Sequence, residues 1–123
     1  MANTAYTSSY TGQQIDAAIG AVANKADKIA EVNHGTSDTT FALTPNVFHM
    51  WGTVSSLALT LATPTDATIV NEYMFQFDSG STATTLSLPA TIDWAESCGT
   101  LTVEANKTYQ VSIVDDIGVW ISI

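Results

Sequence analysis

Residues 69–88 read IVNEYMFQFDSGSTATTLSL, and their period decides the class of the chain. Tyr73, Phe75 and Phe77 fall on every second residue, as do Leu86 and Leu88, with Ser79, Gly80, Ser81 and Thr82 between the two runs. A period of two gives a strand one apolar face, and Gly and Ser supply the turn that joins one strand to the next. The same pattern continues in both directions. Toward the C-terminus Pro89 ends a strand, and Ile92 and Trp94 lie in an irregular connection running to Gly99. Leu101 and Val103 predict a short strand, and residues 104–107 a hairpin loop. Tyr109, Val111 and Ile113 alternate, Asp115, Asp116 and Gly118 make a turn, and Val119, Ile121 and Ile123 alternate again. Toward the N-terminus residues 62–68 are a loop, preceded by Leu57, Leu59 and Leu61 on one face. Two shorter runs, 47–51 and 41–43, come before that. About seven or eight strands at roughly ten-residue spacing, with no helix between them, predict an antiparallel β-sandwich, jelly-roll-like, over residues 41–123.

Upstream the period changes. In TGQQIDAAIGAVANKADKIAEV (11–32), apolar residues recur at Ile15, Ile19, Val22, Ala26 and Ile29, alternately four and three apart. That spacing is a heptad seam on one side of a helix. Thr11 with Gln14 forms a capping box, Tyr10 and Ile15 have the spacing of a hydrophobic staple, and Asn33 and Gly35 are stop signals. A helix of about 21 residues is about 30 Å long. Two partners are open to its seam: the domain that follows, or other copies of the chain. Isoleucine at both core positions and alanine on the flanks favour three or four strands over two. A β domain that looks self-sufficient favours association with other copies. The expected organisation is therefore a peptide at 1–10, a trimerising coiled-coil helix at 11–33, a linker at 34–40 and the β domain at 41–123. Tyr6 and Tyr10 in the polar, uncharged lead suit an attachment peptide, because tyrosine offers large contact area at low entropic cost.

Composition narrows the function. The 123 residues allow one domain with an appendage. Charged residues are 12% and hydrophobic ones 46%, which excludes the low-hydrophobicity, high-charge signature of disorder. The net charge of −9 is concentrated after residue 32, where nine acids face Lys107 alone. Such a domain cannot neutralise phosphates, so neither nucleic acid nor an anionic membrane surface is an expected partner. No apolar run approaches the roughly 18 residues of a membrane span, and the lead lacks the pattern of a signal peptide. Cys98 is the only cysteine, which fits folding in a reducing cytoplasm.

Catalytic and ligand chemistry finds little to use. His34 and His49 have no partner at metal-ligand spacing and are expected as ordinary solvated or core-edge histidines. Cys98 lacks basic neighbours that would activate it. Ser79-Gly80-Ser81 has no strand–turn–helix context for a nucleophile elbow. Asp115 and Asp116, with Asp78 or Asp93, would be the place for a cation, but a plain turn explains them. Trp51, Trp94 and Trp120 are the candidate ligand-contacting aromatics, with core or interface anchoring as the alternative. No cofactor, metal or enzymatic activity is expected.

From Phe75 to Trp120 the chain resembles a β-sandwich module of tailed-bacteriophage virion proteins. The resemblance rests on Phe75 and Phe77, Thr84–Pro89, Trp94, Glu104–Tyr109, Ile113–Asp116 and Trp120. In one departure, Thr84 and Thr85 directly precede Leu86, so the Thr-x-Thr spacing is met only by Thr82 and Thr84. The lead TSSYTGQQIDAAI also resembles phage fibre proteins, in which such a segment opens a trimerising helix. The resemblance implies a structural virion protein made in the host bacterial cytoplasm: a short trimeric head fibre or capsid decoration protein. Its N-terminus would dock on another virion protein. The alternative it leaves open is a receptor- or glycan-binding tip of a tail fibre or baseplate, reaching a host-surface glycan.

Overall fold

The structure, a computed structural model, describes residues 9–25 and 29–123, leaving out the side chains of 20–25. The chain is mainly β. One helix, α1 (Gly12–Lys25), opens the described part. Its capping box forms as the sequence predicts: Thr11 N–H donates to Gln14 Oε1 at 2.9 Å and Gln14 N–H donates to Thr11 Oγ1 at 3.1 Å. The helix does not reach Asn33, however. Ala30–Gly35 is a strand, β1, hydrogen-bonded in parallel to β3 (Val47–Thr53) from Ala30↔Val47 to Gly35↔Trp51. The three-heptad coiled coil is thereby corrected. Ile29 stands outside the helix, 56% exposed, and Ala26 lies outside the described residues. The physical reason lies in residues 32–35. Val32, Asn33, His34 and Gly35 are poor helix formers, and as a strand they gain a ladder partner that a frayed helix end lacks. The linker expected at 34–40 shrinks to residues 36–39 for the same reason.

The remaining strands are β2 (Thr40–Leu43), β4 (Ser56–Leu61), β5 (Glu72–Asp78), β6 (Thr85–Ser87), β7 (Asp93–Trp94), β8 (Thr108–Val114) and β9 (Ile117–Ser122). Leu101 and Val103 form no strand, but they pack against the core. Among the described residues there are two sheets, ordered β1-β3-β5-β8-β9-β7 and β2-β4-β6. The expectation of an antiparallel arrangement is corrected. β1, β3 and β5 run parallel, and so do β2, β4 and β6, while only β5–β8 and β8–β9 are antiparallel. From β1 to β6 the chain changes sheet at every strand, so the crossover between parallel neighbours is itself a strand of the other sheet. A parallel pair needs a crossover of about a dozen residues, and a turn, a short strand and a second turn supply it. The path is a coil whose turns stack, closed at one end by the β8–β9 hairpin. Asp115 and Asp116 make that hairpin's two-residue turn, with φ of 49° and 62°, the positive pair a type I′ turn requires.

The core lies between the sheets. Leu43, Leu57 and Leu59 come from the smaller sheet, and Trp51, Phe75, Phe77, Tyr109 and Ile113 from the larger. Phe77 stacks on Tyr109 with centroids 5.2 Å apart. Polar groups in the core are paired. Thr84 Oγ1 donates to Val54 O at 2.6 Å, and Glu104 N–H donates to the Tyr109 hydroxyl at 2.7 Å.

Candidate functional site

The outer faces of the two sheets differ in chemistry. On the smaller sheet the outward residues are Thr40, Ala42, Ser56, Ala58, Thr60, Thr85 and Ser87, small side chains that water solvates readily. On the larger sheet the ladder aligns two outward rows. One runs Glu31, Phe48, Met74, Ser112, Val119; the next runs Asn33, Met50, Gln76, Gln110, Ile121. Val119 and Ile121 are 45% and 58% exposed, and Phe48 and Met74 line a shallow depression of about 270 Å³ with them. The polar members of the rows bond to each other. Gln110 Nε2 donates to Gln76 Oε1 at 2.8 Å, and Ser112 Oγ donates to Glu72 Oε1 at 2.6 Å. With those groups already paired, the middle of the face offers mainly apolar surface in a chain that carries −9. An apolar depression on an outer face is the kind of surface on which a search for a contact begins. Sequence alternation alone did not single it out, because apolar residues on both faces of β9 read as an ordinary terminal strand.

The predicted seam is reduced to part of α1. Ile15 and Ile19 are 40% and 63% exposed on the helix, and Val22 lies within its bounds. Of the predicted attachment tyrosines, Tyr10 is exposed just before the helix and Tyr6 lies outside the described residues.

The three tryptophans have separate placements. Trp51 is 2% exposed, and its indole N–H donates to Ser37 O at 2.9 Å, so it pins the β1–β2 connection from inside and presents no face to a ligand. Trp120 Nε1 donates to Gly99 O at 2.9 Å, and its ring lies 5.9 Å from that of Tyr109. Trp94 packs over Gly118 and also lines a cleft of about 600 Å³ with Leu86, Leu88, Thr84, Thr100 and Thr102.

Other candidates are absorbed by the fold. Ser79 is buried, and its hydroxyl accepts Thr84 N–H. Cys98 Sγ donates to Ala95 O at 3.3 Å. Asp78 accepts the Thr108 hydroxyl at 2.6 Å. Among the described residues no three acidic, His or Cys side chains converge as a metal site. The two histidines depart from expectation: they are neighbours, with His34 Nε2 3.0 Å from His49 Nδ1. The signal missed was the parallel register of β1 on β3, which sets Val32 opposite His49 and leaves His34, at the irregularity between Asn33 and Gly35, beside that ring. Comparison with protein families, with characterised proteins and with solved structures returns no match to this chain.

Proposed function

We propose that the chain is a structural protein of a tailed-phage particle, a short trimeric head fibre or decoration protein. Residues 1–10 dock on another virion protein, and the two facing sheets serve as a sandwich-like head. The observation that carries this reading is the asymmetry of the sheets: one outer face is hydroxyl-rich, the other apolar, with its polar groups paired among themselves. Copies that associate through the apolar face bury Phe48, Met74, Val119 and Ile121 and leave the threonine face to solvent. Burial of apolar surface is worth about 25 cal/mol per Å², so even a modest patch contributes to assembly. Ile15 and Ile19 on α1 add a second contact, shorter than a coiled coil of three heptads. Light scattering on the purified chain tests the proposal. The expected mass is three times 13.0 kDa, and Val119→Glu with Ile121→Glu shifts it toward the monomer. Thr60→Glu on the opposite sheet leaves it unchanged. A monomer at micromolar concentration ends the reading.

A second reading, a glycan-binding tip, draws on the cleft that Trp94 lines with Thr100 and Thr102. Aromatic surface with hydroxyls around it suits a sugar ring. A glycan array on the purified protein, repeated with Thr102→Val, separates this reading from the purely structural one.

A further inference from the structure

His34 and His49 meet within a chain of hydrogen bonds that starts at the exposed Asp38 carboxylate and runs inward to Thr44, and its proton count is limited. Asp38 Oδ2 lies 3.1 Å from His34 Nδ1. A carboxylate only accepts, so His34 carries its proton on Nδ1 and Nε2 is the acceptor. The nitrogen 3.0 Å from that acceptor, His49 Nδ1, is then the donor. That leaves His49 Nε2 to accept from the backbone N–H of Thr44 at 3.3 Å and from its hydroxyl at 2.9 Å. With both rings neutral, every contact joins a donor to an acceptor. The surroundings are apolar. Trp51 stacks on His34 at 4.3 Å and 12°, and Phe41 lies 4.6 Å from His34 and 5.2 Å from His49. The His34 side chain is 4% exposed, and His49 is 2% exposed.

An added proton strains this chain at a definite place. Placed on His49 Nε2, it keeps the Thr44 hydroxyl as a partner but turns an N–H toward the Thr44 backbone N–H, which loses its acceptor. Placed on His34 Nε2, it forces the His49 proton from Nδ1 to Nε2, with the same result for Thr44. A second proton would set two imidazole N–H groups against each other. Among the described residues, the titratable groups facing the pair are Asp38, from the β1–β2 connection, and the two imidazoles themselves. Phe41 from β2, Trp51 from β3 and Thr44 from the β2–β3 turn bring no charge.

We propose that the His34–His49 pair is a latch that holds the first turn of the coil, residues 30–46, against β3 while both rings are neutral, and releases it on acidification. The direction of the pH effect follows from proton counting. Burial, and then the neighbouring His34, hold His49 below the ordinary imidazole range. The opened chain, with His49 near its usual value of about 6.5, therefore binds more protons than the closed one below that pH. Closure is fully favoured above about 6.5 and weakens as the pH falls through the lowered value.

Hydrogen exchange on the full chain, corrected for intrinsic rates, tests the latch. Opening of the amides in β1 and β2 is expected to rise at least about tenfold between about pH 7.5 and about pH 5, while β5 and β8 change little. His34→Gln and His49→Gln are expected to abolish that pH dependence. Equal protection of β1 at both pH values overturns the proposal, as does an unchanged pH dependence in both variants. If the variants do not fold, imidazole nitrogen shifts of the unmodified chain decide. Uptake of one proton by the pair over this range, with β1 opening, supports the latch; uptake of two with β1 still protected overturns it.

Discussion

At the scale of single residues, the close approaches set the sharpest expectations. Gly118 sits under Trp94, and a Cβ there would lie 2.7 Å from Cε3 and Cζ3 of the ring and 2.9 Å from Ile92 Cγ2. The indole is rigid and Ile92 is buried, so Gly118→Ala forces β7 away from β9. Overpacking of this kind costs about 1–3 kcal/mol, which a denaturant midpoint will register. Tyr109→Phe keeps the aromatic stack and removes only the hydroxyl that accepts Glu104 N–H. A loss of about 0.5–1.5 kcal/mol is expected, and a larger one would mean that the stack itself had moved. These two cases differ in how far the sequence revealed them. The alternation of Tyr109 with Val111 and Ile113 placed that ring in the core, whereas nothing near Gly118 in the chain pointed to Trp94. Thr11 with Gln14, and Asp115 with Asp116, were legible for a simple reason: the groups that satisfy them lie within three or four residues. His34 and His49 were not, because their meeting depends on strand register.

At the scale of elements, periodicity identified β2–β6, β8 and β9 but not β1 or the two-residue β7, and it fixed no strand's direction. A strand buried on one face reads with period two whether its neighbour runs parallel or antiparallel. The coil of β1–β6 and an antiparallel meander therefore share one sequence pattern. The helix shows the opposite failure, in that its start was encoded locally and its end was not. Ile29 fits the heptad, but the residues after it find a better partner in β3. A matched pair of variants separates the two readings. Ile19→Asp puts a charge on the exposed apolar side of α1 and is expected to weaken self-association. Ile29→Asp, at an exposed position outside the helix, is expected to change it little. If Ile29→Asp dissociates the assembly as strongly as Ile19→Asp, the longer seam is restored. Removal of residues 119–123 tests the closing hairpin. It strips most of β9, the residues paired with Tyr109, Gln110, Val111 and Ser112 of β8, and Trp120 with them, while Ile117 and Gly118, which pair with β7, remain. We expect loss of cooperative unfolding by circular dichroism.

At the scale of the whole molecule, net charge and the apolar face work against each other. Each copy brings nine negative charges in excess, with three lysines in the entire chain to offset them. Lys107 is also engaged with Glu104. Association through the apolar middle of this face would gain burial but crowd like charges, Glu31 and Glu72 among them, around its rim, and it would make few compensating ion pairs. Repulsion between such rims is long-ranged in dilute buffer and short-ranged in salt, since the screening length falls from about 30 Å at 0.01 M to about 10 Å at 0.1 M. Self-association should therefore tighten as sodium chloride rises over that range, by several-fold in sedimentation equilibrium. The direction is diagnostic of how the copies meet. Contacts built on Lys–carboxylate pairs weaken with salt, and contacts through Phe48, Met74, Val119 and Ile121 do not. A dissociation constant that rises with salt would move the interface from the outer face of the larger sheet to the charged loops around it.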